Sequence, residues 1–225
     1  MRRLGALLLL LMALVPAAWA LDPQGLRAQE IAHCAPGELS TWPDGRDGPS
    51  ASAAWLFEYE SAGAPIWLDS ALVLRLLERA AGAWAPCGLP IQVRALDAAQ
   101  RPDPAQARVR VLWDEAGARG GFGLADLGRR RLSLSPAAFA LLRQRNPQHP
   151  ADATLQLVLS HEMGHFLGLV AHSRRCVDVM SYYHDGRGNH CFARDAAVMK
   201  AYAEYRASLP TACDIQRCGA LNGRR

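Results

Sequence analysis

The stretch "HEMGHFLGLVAHS", residues 161–173, gathers three histidines and one glutamate in a single short run. His161 and His165 are four apart, so on a helix both project from one face, one turn above the other. Upstream, "DATLQLVLSHEMGHFLG" supplies that helix: Leu155, Val158, Leu159 and Met163 recur at helical spacing, Asp152 stands where an N-cap belongs, and Gly168 marks the stop. Two imidazoles so placed can reach one ion at about 2.0–2.1 Å. Glu162 beside the first of them can take a proton from a water activated by that ion without ligating it. A chance cluster on a solvated surface is a poor fit, because the surrounding helix is apolar on several sides.

HExxH does not say where a third ligand comes from. The run is similar to the signature of the metzincin zinc metalloproteases, HExxHxxGxxH followed by a turn containing methionine. His161, Glu162, His165 and Gly168 match it position by position; the last histidine of the signature falls on Ala171, and the histidine comes one residue later, at His172. Past a glycine turn the chain is no longer locked to helical register, so a loop can absorb the extra residue. The resemblance implies His161, His165 and His172 as ligands of one catalytic Zn²⁺ and Glu162 as general base. Gly168 would break the helix and return the chain under the metal. In "CVDVMSYYHDG" it implies Met180 as the apolar floor beneath the histidines and Tyr182 as a group near the metal or the oxyanion. Tyr183, His184, His190 and Asp178 lie close by in sequence, Asp178 as a carboxylate that could orient a histidine.

The expected fold is α+β, a metzincin-like domain over residues 51–225. Its upper lobe, to about residue 168, would hold a twisted mixed sheet and the active-site helix, followed by a small irregular lower lobe with a C-terminal helix. "AWLFEYE", "LPIQVRAL" and "RVRVLWDE" read as strands, and Leu72, Leu76, Ala80, Ala83 and Trp84 as one face of a first long helix. "GARGGFGLADLG" reads as a glycine-rich connector, "RRLSLS" as the edge strand that would pair with an extended substrate, and "PAAFALLRQR" as a short helix. A last helix is expected near 192–206. Residues 21–50, rich in Pro and Gly, read as an irregular surface segment, a lid or tail.

Residues 1–20 have the form of a cleaved secretory signal peptide: Arg2 and Arg3, an apolar run too short to span a bilayer, then Ala18-Trp19-Ala20. All six cysteines follow it (Cys34, Cys87, Cys176, Cys191, Cys213 and Cys218), an even count that suggests disulfides in an exported chain. Proximity in sequence favours Cys176 with Cys191 and Cys213 with Cys218, leaving Cys34 with Cys87; Cys34 is read as a disulfide partner rather than a latency thiol, since "HCAPGELS" lacks most of a propeptide switch motif. The net charge of +4 gives no reason to expect nucleic acid. A secreted or periplasmic endopeptidase acting on polypeptide, with no membrane attachment after cleavage, is the reading that results. Its rivals are a thermolysin-like protease taking Glu204 as third ligand and a non-catalytic zinc-binding module.

Overall fold

The computed structural model describes residues 22–97 and 106–223. The expected signal peptide lies outside them. The chain is α+β. Helix α1 (Pro23–Ala32) precedes strand β1 (Trp55–Tyr59), helix α2 (Ser70–Trp84), β2 (Ile91–Ala95) and β3 (Ala107–Trp113). After a short turn of helix, α3 (Glu115–Ala118), come β4 (Gly123–Asp126), β5 (Arg131–Leu134), α4 (Pro136–Arg145), α5 (Ala151–Phe166), α6 (Ala196–Lys200) and α7 (Ala212–Leu221). The strands form one sheet in the order β2-β1-β3-β5-β4, parallel throughout except for β4, which runs antiparallel to β5 at the edge.

Alternation along the strands decides which side of the sheet the helices cover. Trp55, Phe57 and Tyr59 of β1 and Val109 and Val111 of β3 are buried in one core with Leu77 and Trp84 of α2 and Leu155, Leu159 and Phe166 of α5. Phe166 closes it, meeting Trp55 and Phe57 edge-on, each at 5.6 Å between ring centroids. Glu58, of the opposite alternation, is clasped by Arg94 and Arg108 from the neighbouring strands. Between the two long helices, Trp84 Nε1 donates to the Ser160 carbonyl at 2.9 Å and Gln156 Nε2 to the Leu76 carbonyl at 3.0 Å, which fixes the rotation of α5.

Several expectations change. Asp152 lies in the first turn of α5, where its charge complements the helix dipole, but the cap position is Pro150. The edge strand is β4, inside the glycine-rich connector, and "RRLSLS" is β5, paired on both sides. Glycine is needed there because a Cβ at Gly123 would run into Val158 Cγ1 of α5; the composition reports close approach, not a loop. The last helix expected near 192–206 shrinks to α6, because the backbone beyond it bonds elsewhere. Ala207 N–H donates to the Val177 carbonyl, and Arg27 donates to the carbonyls of Tyr205 and Arg206.

Residues 21–50 are not irregular throughout, since α1 is a helix with Asp22 as its N-cap. Two of the three expected cysteine pairs are also replaced. Cys176 pairs with Cys191, but Cys34 pairs with Cys213 and Cys87 with Cys218, closing separations of 179 and 131 residues. Cys213 and Cys218 are five residues apart on α7, a spacing that puts them on different faces of the helix and points them to different neighbours. On a chain-entropy account each long bridge stabilises by about 5 kcal/mol. No free cysteine is left among the described residues. Three disulfides fit an exported protein, and among the described residues no helix is long and apolar enough to cross a membrane.

Candidate metal centre

Helix α5 ends in a Schellman motif that launches the loop toward His172. Gly168 takes φ +101°, its N–H donates to the His165 carbonyl at 3.1 Å, and Leu169 N–H donates to the Gly164 carbonyl at 3.2 Å. This turn returns the chain to the open face of the helix. The nearest ligand atoms of His161, His165 and His172 all lie within 4.8 Å of one another.

Each imidazole is oriented by an oxygen on its far nitrogen. His161 Nδ1 lies 2.7 Å from the Val179 carbonyl, His165 Nδ1 2.7 Å from the Leu169 carbonyl, and His172 Nδ1 2.6 Å from Asp44 Oδ2. Carbonyl and carboxylate oxygens only accept, so all three protons sit on Nδ1 and all three Nε2 lone pairs are left for a ligand. His161 Nε2 and His172 Nε2 are 3.1 Å apart. Two ligands about 2.05 Å from a tetrahedral zinc stand roughly 3.3 Å apart, so this pair is spaced as two zinc ligands would be, and three imidazoles are a donor set whose chemistry suits that ion. Burial, and after it the charge of the other imidazoles, holds His161 well below its usual pKa; burial takes His165 down to about 4. His172 is also lowered by burial, with Asp44 pulling the other way.

Glu162, next to His161 on α5, is buried, and desolvation raises its pKa to about 7 against the opposing hydrogen bond from Ala125 N–H, 2.8 Å from Oε2. That bond joins the general-base candidate to the edge strand β4. Next to it lies a cavity of about 590 Å³ lined by Phe122, Gly123, Leu157, Val158, His161 and Glu162 among others. Another groove of about 370 Å³ is lined by His165, Gly168, Arg46 and Arg130 among others. His161 thus lines the first recess and His165 the second.

Met180 is fully buried beneath α5, so close that a Cβ on Gly164 would overlap its sulfur. Its neighbour Val179 supplies the carbonyl for His161, so the turn that packs against Gly164 also orients that imidazole. Val179 N–H is in turn fixed at 2.9 Å by Asp214 Oδ2 of α7. Tyr182 stacks on Trp42 and donates its hydroxyl to Asp44 at 2.6 Å, its ring 4.6 Å from that of His172; burial and then the Asp44 charge raise its pKa.

Other sequence candidates go elsewhere. Asp178 orients no histidine; it binds Arg175 at 2.9 Å, Ser173 at 2.7 Å and Thr211 at 2.6 Å. Tyr183 donates to Glu204, and Glu204 is held by Arg206 at 2.7 Å, outside the histidine group. His184 and His190 face each other across a separate hairpin. Asp44 was missed, because "TWPDGRD" has the composition of any surface turn and only its partners give it a role.

No protein-family model matches this chain, and no curated protein matches it. Among solved structures it is similar to a chain of "GM1 bound form of the ECX AB5 holotoxin". The TM-score is 0.50 at 13% identity, covering 86% of this chain and 92% of that one, a likeness of fold.

Proposed function

We propose that this chain is an exported zinc endopeptidase of the metzincin kind. The observation that carries the reading is the convergence of three histidines, each with its Nδ1 proton already committed to an oxygen, beside a buried glutamate. His161, His165 and His172 would hold the ion. Zinc bound there supplies a Lewis acid that polarises the scissile carbonyl and lowers the pKa of a water to near 7.

The residues do the rest. Glu162, with its pKa raised to about 7, is poised to accept a proton from the attacking water near neutrality and return it to the leaving amine. Ala125 N–H fixes one of its carboxylate oxygens, so proton transfer falls to the other. The outer edge of β4 suits an extended peptide added as a further strand, with the 590 Å³ cavity receiving a side chain next to the cleaved bond. The 1–20 leader, taken with the three disulfides, supports export by a cleaved signal peptide.

Zinc content and casein cleavage of residues 21–225 test the reading. One zinc per chain and proteolysis are expected, with His172→Ala losing both and Glu162→Gln keeping zinc but not cleavage. Zinc retained with no turnover by the unaltered chain would instead favour a non-catalytic module.

A further inference from the structure

His161 and His165 take their orientation from main-chain carbonyls near the helix, but His172 takes its own from a segment more than a hundred residues away. Residues 41–50 lie across the 168–173 loop. Trp42 N–H donates to the His172 carbonyl at 2.8 Å, Gly48 N–H to the Gly168 carbonyl at 3.1 Å, and Ala171 N–H to Asp47 Oδ1 at 2.9 Å. The contact is too close for side chains at two glycines: a Cβ on Gly45 would meet the Val170 carbonyl, and one on Gly168 the Gly48 carbonyl. Arg217 of α7 locks the far end, binding Asp47 Oδ2 at 2.7 Å and the Ala171 carbonyl at 2.8 Å.

Within this strap Asp44 makes the contacts that matter to the metal. Its Oδ2 takes the His172 Nδ1 proton at 2.6 Å and the Tyr182 hydroxyl at 2.6 Å, and its Oδ1 takes the His172 backbone N–H at 3.2 Å. A carboxylate on the far nitrogen fixes tautomer and ring plane and makes the imidazole a stronger donor to a cation. Ala171 is buried in the loop while His172 faces its two partner imidazoles, so the strap also selects which residue of the loop points inward.

Resting on the zinc reading above, we propose that Asp44 is the positioning residue of the third ligand, and that the 41–50 strap is a working part of the metal centre rather than a lid. The inference is that His172 binds zinc well only while Asp44 is in place. Tyr182 shares the carboxylate but does not itself hold the ion.

Zinc dissociation constants measured by competition with a chromophoric chelator test this, alongside visible spectra of the Co²⁺-substituted proteins. Asp44→Ala is expected to weaken zinc binding by about 100-fold and Asp44→Asn, which keeps an acceptor oxygen but not the charge, by about tenfold. Both should alter the cobalt spectrum. Tyr182→Phe should leave zinc affinity within about threefold of the unaltered chain. Asp47→Ala removes a strap bond that never touches an imidazole, so it should lower the unfolding midpoint yet keep the cobalt spectrum at saturation. Unchanged zinc affinity and cobalt spectrum in Asp44→Ala would overturn the proposal. If that variant does not fold, the same result in Asp44→Asn decides against it. Should the unaltered chain bind no zinc, the metalloprotease reading itself falls, an outcome separate from zinc held equally well with and without Asp44.

Discussion

The two halves of the histidine cluster are built by different means. His161, Glu162 and His165 sit on α5, whose pitch fixes their spacing and whose rotation is set by Trp84 and Gln156 against α2. His172 and Tyr182 sit on loops, and their positions depend on Asp44, which is 128 and 138 residues away in sequence. A helix carries its geometry in its own hydrogen bonds. A loop must borrow rigidity, here from the strap, from α7 and from the Cys34–Cys213 and Cys87–Cys218 bridges that anchor α7. The helical half should therefore answer to local changes and the loop half to remote ones.

The largest expected effect tests the helical half. Glu162→Gln is isosteric and can still accept from Ala125 N–H, so the fold and the histidines should be undisturbed while peptide cleavage falls by about 10²- to 10⁴-fold. Steady-state kinetics with zinc content measured on the same sample decide it. A variant that retains its zinc and cleaves at the original rate would remove Glu162 from the chemistry.

Acid separates the two halves by degree, and Glu162 from the three histidines by sign. His165, with a folded pKa of about 4 against 6.5, binds fewer protons folded than unfolded. Its contribution is therefore complete above 6.5 and lost as pH falls toward 4, on the order of 3 kcal/mol in the metal-free chain. His161 shifts the same way. His172 should contribute less, since Asp44 stabilises its charged form. Glu162 opposes them: its pKa of about 7 lies above 4.5, so its contribution is complete below 4.5 and lost as pH rises through 7. Asp214, its pKa raised to about 7, and Asp178, also raised, act with Glu162, so the histidines' share is read as the part of the acid-side fall in metal-free urea midpoints between pH 6.5 and 4 that disappears in His165→Asn. Asp44→Ala should steepen that drop by removing the partner of His172⁺. An acid-side profile identical in His165→Asn and the unaltered chain would mean the imidazole is not buried as described.

Gly168→Ala tests the junction between the halves. The φ of +101° disfavours any side chain, and the added methyl would push against the Gly48 carbonyl. A loss of about 2 kcal/mol in equilibrium unfolding is expected, together with weaker zinc binding, because the strap is displaced from the loop. A loss of stability with unchanged zinc affinity would show that the loop half does not depend on the strap.

How much of this could be read from the sequence follows the same division. The HExxH spacing, the apolar rows of α2 and α5, the aromatic run of β1 and the alternation in β2 and β3 are local patterns, and the elements lie where the patterns place them. Gly168 was legible because a glycine at a helix end has one common use. The edge strand was not, because Gly123 serves a contact with α5 that the chain order does not reveal. Helix α7 did leave a signal, Thr211 with Asp214 three residues on, which forms a capping box. Two cysteines close together in that segment invited a mutual bridge instead. Asp44 and Asp47 left none, since their roles exist only after residues 41–50 have met residues 168–173.

The smallest expected effect concerns Tyr182. Its hydroxyl points to Asp44, so serving a developing oxyanion would require it to give up a charge-assisted bond that also raises its pKa. Its ring, stacked on Trp42 and packed near His172, would remain in Tyr182→Phe. Removing the hydroxyl leaves Asp44 its bonds to the His172 ring and backbone N–H, which does not weaken the histidine as a ligand. A fall in kcat of less than about tenfold is therefore expected, with KM and zinc content unchanged. Loss of an oxyanion donor that acts directly costs about 10²- to 10³-fold. A fall of that size would mean that Tyr182 swings from Asp44 to the substrate during turnover. The loop half would then contribute chemistry as well as a ligand, and its borrowed rigidity would have to yield once in every cycle.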